Sequence, residues 1–169
     1  RTDRVAIRGE SVRSPIIDIE NAKTLLSMEK FFIDDVIMQT TGAQHQYSKF
    51  AAPVYDSNGD NIAGLSFRFE SNRTQGYMKH ALGLLLREGS ITNPILDVCI
   101  YPNAARSHVD RSSRIKIFGS HIHILDGVKK LDIDYNATTW ADYFLIFAKE
   151  ANLEFRSAKI IGPFEGELL

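Results

Sequence analysis

The stretch that decides the fold class is residues 47–69, which read YSKFAAPVYDSNGDNIAGLSFRF. Asn58 and Gly59 lie in its middle, and both residue types tolerate the positive φ angles of a tight turn. After the turn, Phe67 and Phe69 alternate with polar residues, which is the period of a strand with one buried and one solvated face. The stretch therefore predicts a β-hairpin whose apolar side packs on a helix. The predicted strands are residues 47–55 and 61–69.

Helical spacing of apolar residues occurs in three other segments. One begins after Asp18, a good N-cap residue, and another after Thr139, whose spacing from Asp142 matches a capping box. The segment 74–87 fits a helix but also contains an unbroken apolar run around Gly83 that would suit a buried strand. We interpret it as a helix. The predicted helices are residues 18–32, 74–87 and 140–152.

Short apolar runs predict the remaining strands. Residues 95–101 are closed by a proline turn on each side, which is typical of a central strand. The run 115–125 follows after a loop too short and polar for a crossover helix, so we expect the two to pair antiparallel. A loop is predicted at 126–136 and a last strand at 154–161.

The order of these elements favours an α+β fold. Strands come in groups and helices lie near both ends of the chain, which predicts a mostly antiparallel sheet with two or three helices packed on it. We expect a single domain over residues 16–169, preceded by an N-terminal arm or extension at 1–15. The length of 169 residues is near the common size of one domain.

The composition is close to that of an average globular domain. Hydrophobic residues make up 44% and charged residues 24%, and no apolar run approaches the roughly 20 residues that cross a bilayer. We therefore predict no membrane association. Cys99 is the only cysteine, which excludes an intrachain disulfide, predicts no thiolate metal site built from this chain alone, and favours a reducing, cytoplasmic location. The net charge of −1 leaves only a local basic patch for contact with nucleic acid.

Histidines form the most informative cluster in the sequence. Three of the five lie within residues 108–123. On a strand, His121 and His123 point to the same face about 6.5 to 7 Å apart, while Ile122 points to the other face. His108 joins the pair if its loop folds back over the sheet.

Three interpretations of the pair stay open. His121 and His123 can be half-buried structural residues hydrogen-bonded to the backbone. We favour this interpretation because the same face of the predicted strand also carries Ile115, Ile117 and Leu125. We predict no cofactor, and the alternative is that His121 and His123 hold a divalent transition metal. Together with His108 they can also divide acid and base roles in phosphoryl transfer, since the pKa of histidine suits both tasks near neutral pH.

Charged neighbours extend the catalytic interpretation. Cationic side chains next to His108 would bind a phosphate. Asp110, two positions after His108, would join this histidine in completing the catalytic set. The candidate binding residues are Arg106, Asp110, Arg111, Arg114 and Lys116.

Known catalytic motifs do not match the chain. A histidine-triad hydrolase needs a third alternating histidine where Leu125 stands, and a two-histidine phosphoesterase needs two separate His-x-Ser/Thr repeats. The metallo-β-lactamase pattern fails because Asp126 comes one position late. A P-loop, a Gly-x-Gly-x-x-Gly fingerprint and a Gly-x-Ser-x-Gly elbow are also absent from the sequence.

The order of features resembles a family of small, uncharacterised bacterial and prophage proteins with a His-x-His strand. An early amphipathic helix, an apolar strand, a loop with His108 and Asp110, the His-x-His strand and a late helix carry this resemblance. The matching segments are residues 24–32, 95–100, 108–110, 119–124 and 140–152. The resemblance implies a phage or mobile-element setting.

Two functions from different classes follow. The first is an interaction module that binds and modulates a protein partner, which fits the near-neutral charge and the phage-like resemblance. The alternative is a histidine-dependent phosphoesterase or ribonuclease that acts on RNA or a nucleotide through His108, His121 and His123. The sequence leaves open whether the chain is an enzyme.

Overall fold

A computed structural model describes residues 15–73, 76–110, 113–156 and 159–165. The helices within these ranges are α1, Ile19–Ser27, and α2, Trp140–Ala151. The strands are β1 Lys30–Phe32, β2 Val36–Ile37, β3 Gln39–Thr41, β4 Tyr47–Tyr55, β5 Asn61–Asn72, β6 Lys79–Glu88, β7 Ile91–Ile100, β8 Arg106–Val109, β9 Lys116–Phe118, β10 His121–Ile124, β11 Gly127–Lys130, β12 Leu153–Phe155 and β13 Ile160–Ile161.

The main sheet has the order β11-β10-β7-β6-β5-β4-β1-β12, and β3 pairs with β4 beside this path. Its pairs are antiparallel except for the parallel pair of β1 and β12. Two small sheets pair β13 with β2 and β8 with β9. The α+β class and the mostly antiparallel sheet predicted from the sequence are therefore confirmed, with two helices in the described part of the chain.

One face of the main sheet is apolar and forms the core. Phe67 of β5 is fully buried there, and its ring centroid lies 5.1 Å from that of Phe147 on α2. Ala22 of α1 belongs to the same core, so both helices cover this face. Arg68, Glu70 and Asp97 of the central strands point to the opposite face of the sheet.

The helix predicted at 18–32 is shorter than its apolar spacing indicates. Asp18 caps α1 as expected by accepting a hydrogen bond from the backbone N–H of Asn21, but α1 ends at Ser27. Lys30 then starts β1, because its backbone N–H pairs with the carbonyl of Asn152. Pairing between distant segments wins here over local helical spacing.

The helix predicted at 74–87 is wrong. Residues 79–88 form β6, which pairs with β5 on one side and β7 on the other; residues 74 and 75 lie outside the described ranges. Leu82 and Leu84 alternate into the core, while Gly83 faces Arg68 and Asp97 on the other side of the sheet. A strand buried at the centre of a sheet shows the continuous apolar run that we interpreted as helical.

The strand predicted at 115–125 is divided in two. Gly119 adopts a φ of +76°, where β9 ends and the chain turns into β10. β10 pairs antiparallel with β7, as predicted, whereas β9 pairs with β8 in a separate hairpin. Ile115 and Ile117 therefore belong to the hairpin region and not to the strand that carries His121.

Two smaller segments also differ from the sequence-based expectation. The loop predicted at 126–136 contains β11, and the last strand predicted at 154–161 is divided into β12 and β13 in different sheets. The capping box of α2 is present, since the backbone N–H of Thr139 donates to Asp142 at 2.8 Å. Within the described residues, neither helix is long and apolar enough to cross a membrane.

Candidate functional site

The strand register arranges the polar face of the main sheet in two neighbouring rows. The first row crosses the sheet as Lys49, Glu70, Ala81, Cys99, His121 and Lys130. The second crosses it as Ala51, Arg68, Gly83, Asp97, His123 and Val128. Residues directly opposite each other on antiparallel strands share a face, so the two histidines stand beside Cys99 and Asp97.

The histidine pair is close and buried. The Nε2 atoms of His121 and His123 lie 3.1 Å apart, and the two rings meet edge to face. His121 is 1% exposed and His123 is 9% exposed. Cys99 completes a compact group, because its Sγ atom and one nitrogen from each ring all lie within 4.8 Å of one another.

Ser107 of β8 fixes the orientation of His121. Its Oγ lies within hydrogen-bond distance of the carbonyls of Gly119 and Ile117, which only accept hydrogen bonds, so the hydroxyl proton is directed to them. The same Oγ lies 3.0 Å from Nδ1 of His121 and accepts from it. A neutral ring protonated at Nδ1 carries its lone pair at Nε2, the atom that faces His123.

His108 also reaches the cluster, because the β8–β9 hairpin folds over the polar face. Its ring centroid is 4.9 Å from that of His123 and 5.4 Å from that of His121. Tyr101 stacks on His121, with the two ring centroids 5.9 Å apart. The three histidines that the sequence selected as catalytic candidates are thus brought together, and their catalytic role stays a prediction.

The charged binding candidates occupy a different place. Arg106 and Lys116 lie exposed on the two strands of the hairpin, and Arg114 lies exposed in its connection with a φ of +59°. Asp110 accepts a hydrogen bond of 2.6 Å from Ser113 and so stabilises this connection. Among the described residues, no hydrogen bond or ion pair joins the three cations to the histidines. Arg111 lies outside the described ranges.

Sequence reasoning missed a partly buried ion pair beside the histidines. Arg68 contacts both carboxylate oxygens of Asp97 at 3.3 Å, and Asp97 is opposite His123 in the register. The guanidinium reaches across Gly83, where an added Cβ would lie 3.2 Å from both Arg68 and Asp97. The glycine at this position is therefore explained by the space that the ion pair occupies.

A cavity of about 200 Å³ opens beside the cluster. Cys99 lines it, so one side chain is shared by the cavity and the group of potential ligands. The other lining residues that matter chemically are Tyr47, Lys49, Glu70, Lys79, Ala81 and Tyr101. None of these residues was selected from the sequence.

Comparison of the chain with protein-family models, curated proteins and solved structures finds no match. The resemblance to bacterial and prophage proteins consequently stays a prediction, and the function has to be argued from the site itself.

Proposed function

We propose that this chain is a metal-dependent phosphoesterase that acts on RNA or a nucleotide, with Cys99, His121 and His123 as ligands of a divalent transition metal. The observation that carries the proposal is the convergence of one sulfur and two nitrogen atoms within 4.8 Å. Thiolate and imidazole are the ligands that zinc prefers, and three protein ligands leave a fourth tetrahedral position for water.

The spacing of the two nitrogens supports this assignment. Two ligands at about 2.0 to 2.1 Å from a tetrahedral zinc ion lie about 3.3 Å apart, close to the 3.1 Å between the Nε2 atoms of His121 and His123. The hydrogen bond from Nδ1 of His121 to Ser107 is the typical outer contact of a histidine that binds metal through Nε2. Ser107→Ala should therefore weaken metal binding about 10- to 100-fold.

The chemistry that follows is hydrolysis. A metal ion held by Cys99, His121 and His123 would lower the pKa of its bound water to about 7 and so would supply hydroxide near neutral pH. In phosphoester hydrolysis a hydroxide oxygen would form the new bond to phosphorus as the ester P–O bond breaks, and the leaving oxygen would take up a proton. His108 stands beside the ligand group without being part of it, and is suited to donate that proton.

Metal content and turnover, measured together, test the proposal. We expect the purified protein to bind about one zinc equivalent and to cleave the diester bis(p-nitrophenyl) phosphate. His121→Ala should lose both properties, whereas His108→Ala should keep the metal and lose about 100-fold or more in turnover. His45→Asn is the matched control, because His45 is exposed and asparagine tolerates its φ of 51°.

The outcome that would contradict the proposal is a wild-type protein that binds no zinc, or a His121→Ala protein that retains full turnover. Loss of metal from His108→Ala would instead move His108 from the proton donor to the ligand set, and would end the role assigned to it here.

A specific feature of the hairpin favours the other function, binding to a protein partner. Val109, Ile115 and Phe118 are exposed by 36%, 60% and 46% and lie on or next to β8 and β9. Apolar side chains gathered on one exposed element mark protein contact sites. The hairpin is therefore where we expect a partner to bind if the chain acts as an interaction module.

Crosslinking from a native host extract, followed by binding of the identified and purified partner, tests this second function. Ile115→Ser combined with Phe118→Ser should abolish the complex while zinc binding is retained, and Leu145→Ser on the exposed side of α2 should leave the complex intact. A complex that survives the hairpin substitutions would exclude this surface.

A further inference from the structure

We infer that the cavity beside Cys99 is a pocket for the phosphate group of a small phosphorylated ligand. The inference rests on the proposed function where it assigns the bound phosphate to a substrate, since the pocket lies next to the candidate metal centre. Phosphate binding by the pocket itself depends on other side chains, so the two proposals can fail separately.

The pocket exists because Ala81 is small. In the first polar row, Ala81 separates Glu70 on β5 from Cys99 on β7, and two strand spacings leave a gap of about 10 Å between these neighbours. In the second row the same gap lies above Gly83, where Arg68 crosses it to reach Asp97. Among the described residues, no ion pair crosses the gap above Ala81 in this way, and the cavity lies there.

Two lysines supply the charge that a phosphate requires. Nζ of Lys49 lies 5.2 Å from the ring centroid of Tyr47, and Nζ of Lys79 lies 5.7 Å from that of Tyr101. These distances are within the range of cation–π attraction, so each ammonium group has an aromatic ring to hold it near the cavity. Within the described residues, neither lysine takes part in an ion pair.

The balance of charge favours an anion in spite of one carboxylate. Lys49 and Lys79 contribute two positive charges to the lining and Glu70 contributes one negative charge. The neighbouring charges of Arg68 and Asp97 are paired with each other and add little. Glu70 should therefore weaken phosphate binding without preventing it. Replacing Glu70 should consequently strengthen phosphate binding, whereas replacing the lysines should weaken it.

The volume limits the size of the bound group. A cavity of about 200 Å³ has room for about seven water molecules, each of which takes roughly 30 Å³ in the liquid. That space accommodates one phosphate with the sugar attached to it, and a larger ligand must extend outside. The ligand class is consequently a phosphate monoester or one phosphate of a longer chain.

Calorimetric titration with inorganic phosphate tests the pocket, using zinc-loaded wild-type protein and His121→Ala protein without metal. Ala81→Leu should fill the gap and raise the Kd for phosphate at least about tenfold, and Lys49→Met with Lys79→Met should have a similar effect. Glu70→Gln should lower the Kd. Lys130→Met is the matched control, because Lys130 lies exposed at the far side of His121 in the same row.

The lysine double variant changes side chains outside the core, so it remains informative if Ala81→Leu fails to fold. Phosphate binding that is unchanged in both variants, or that falls equally in Lys130→Met, would overturn the inference. Loss of phosphate binding in Ala81→Leu with zinc still bound would support it. If wild-type protein binds no zinc but still binds phosphate in the pocket, the proposed function fails and the pocket stands.

Discussion

His80 is a buried histidine that the candidate metal centre does not use. Its Nδ1 lies 2.6 Å from Oγ of Ser71, and its ring packs against Tyr143 at 5.2 Å and Phe69 at 6.1 Å. Burial penalises the charged imidazolium and lowers the pKa of His80 from 6.5 to about 4. This side chain is therefore neutral in the folded protein at physiological pH.

The first prediction concerns the stability that this neutral ring contributes. The unfolded chain takes up the proton near pH 6.5, whereas the folded chain takes it up only near pH 4. The free energy of unfolding should therefore fall by about 3 kcal/mol as the pH is lowered from 6.5 to 4. The full contribution is present above pH 6.5. His80→Gln should remove this part of the slope, measured by urea denaturation between pH 4 and 7. A slope equal to that of wild type would contradict the assignment, and His45→Asn serves as the control.

At the scale of residues, the sequence identified part of the candidate site. His108, His121 and His123 were selected because they are close in sequence and alternate on a strand. Cys99 was not expected to take part in a metal site, since its position opposite His121 depends on a register between β7 and β10 that no local pattern encodes. Ser107 was missed for a related reason, because a hairpin must fold over the sheet before its hydroxyl reaches His121.

At the scale of elements, prediction succeeded where local chemistry determines the structure. The turn at Asn58 and Gly59 joins β4 and β5 as expected, and the caps at Asp18 and Thr139 begin both helices. It failed for β6, where residues 81–86 are all apolar or glycine on both faces of the sheet. Such a strand loses the alternation that distinguishes it from a buried helix.

The second prediction tests the apolar side of α2. Phe147 is fully buried against Phe67, so Phe147→Ala should lower the free energy of unfolding by about 3 to 5 kcal/mol. Leu145→Ala removes an apolar side chain from the same helix, but Leu145 is 72% exposed and the change should stay within about 0.5 kcal/mol. Equal losses in the two variants, measured by chemical denaturation, would show that this face does not form the core.

At the scale of the whole molecule, the two faces of the sheet have separate tasks. The apolar face packs against α1 and α2 and supplies the core. The polar face holds Cys99 on β7 and the histidine pair on β10, two strands bonded directly to each other. All three candidate ligands therefore lie on adjacent strands of one sheet.

This arrangement leads to the third prediction, that zinc stabilises the whole fold. A ligand that binds only the folded state at a free concentration of 100 times its Kd adds about 2.7 kcal/mol, which for a chain of 169 residues raises Tm by about 5 to 10 °C. We expect this rise in a thermal melt with added zinc, its reversal by a chelator, and its loss in the His121→Ala and His123→Ala double variant. His45→Asn should respond as wild type does. Because surface histidines also bind zinc weakly, a rise of equal size in the double variant would mean that the stabilisation comes from elsewhere on the protein, and the ligand assignment of Cys99, His121 and His123 would then be wrong.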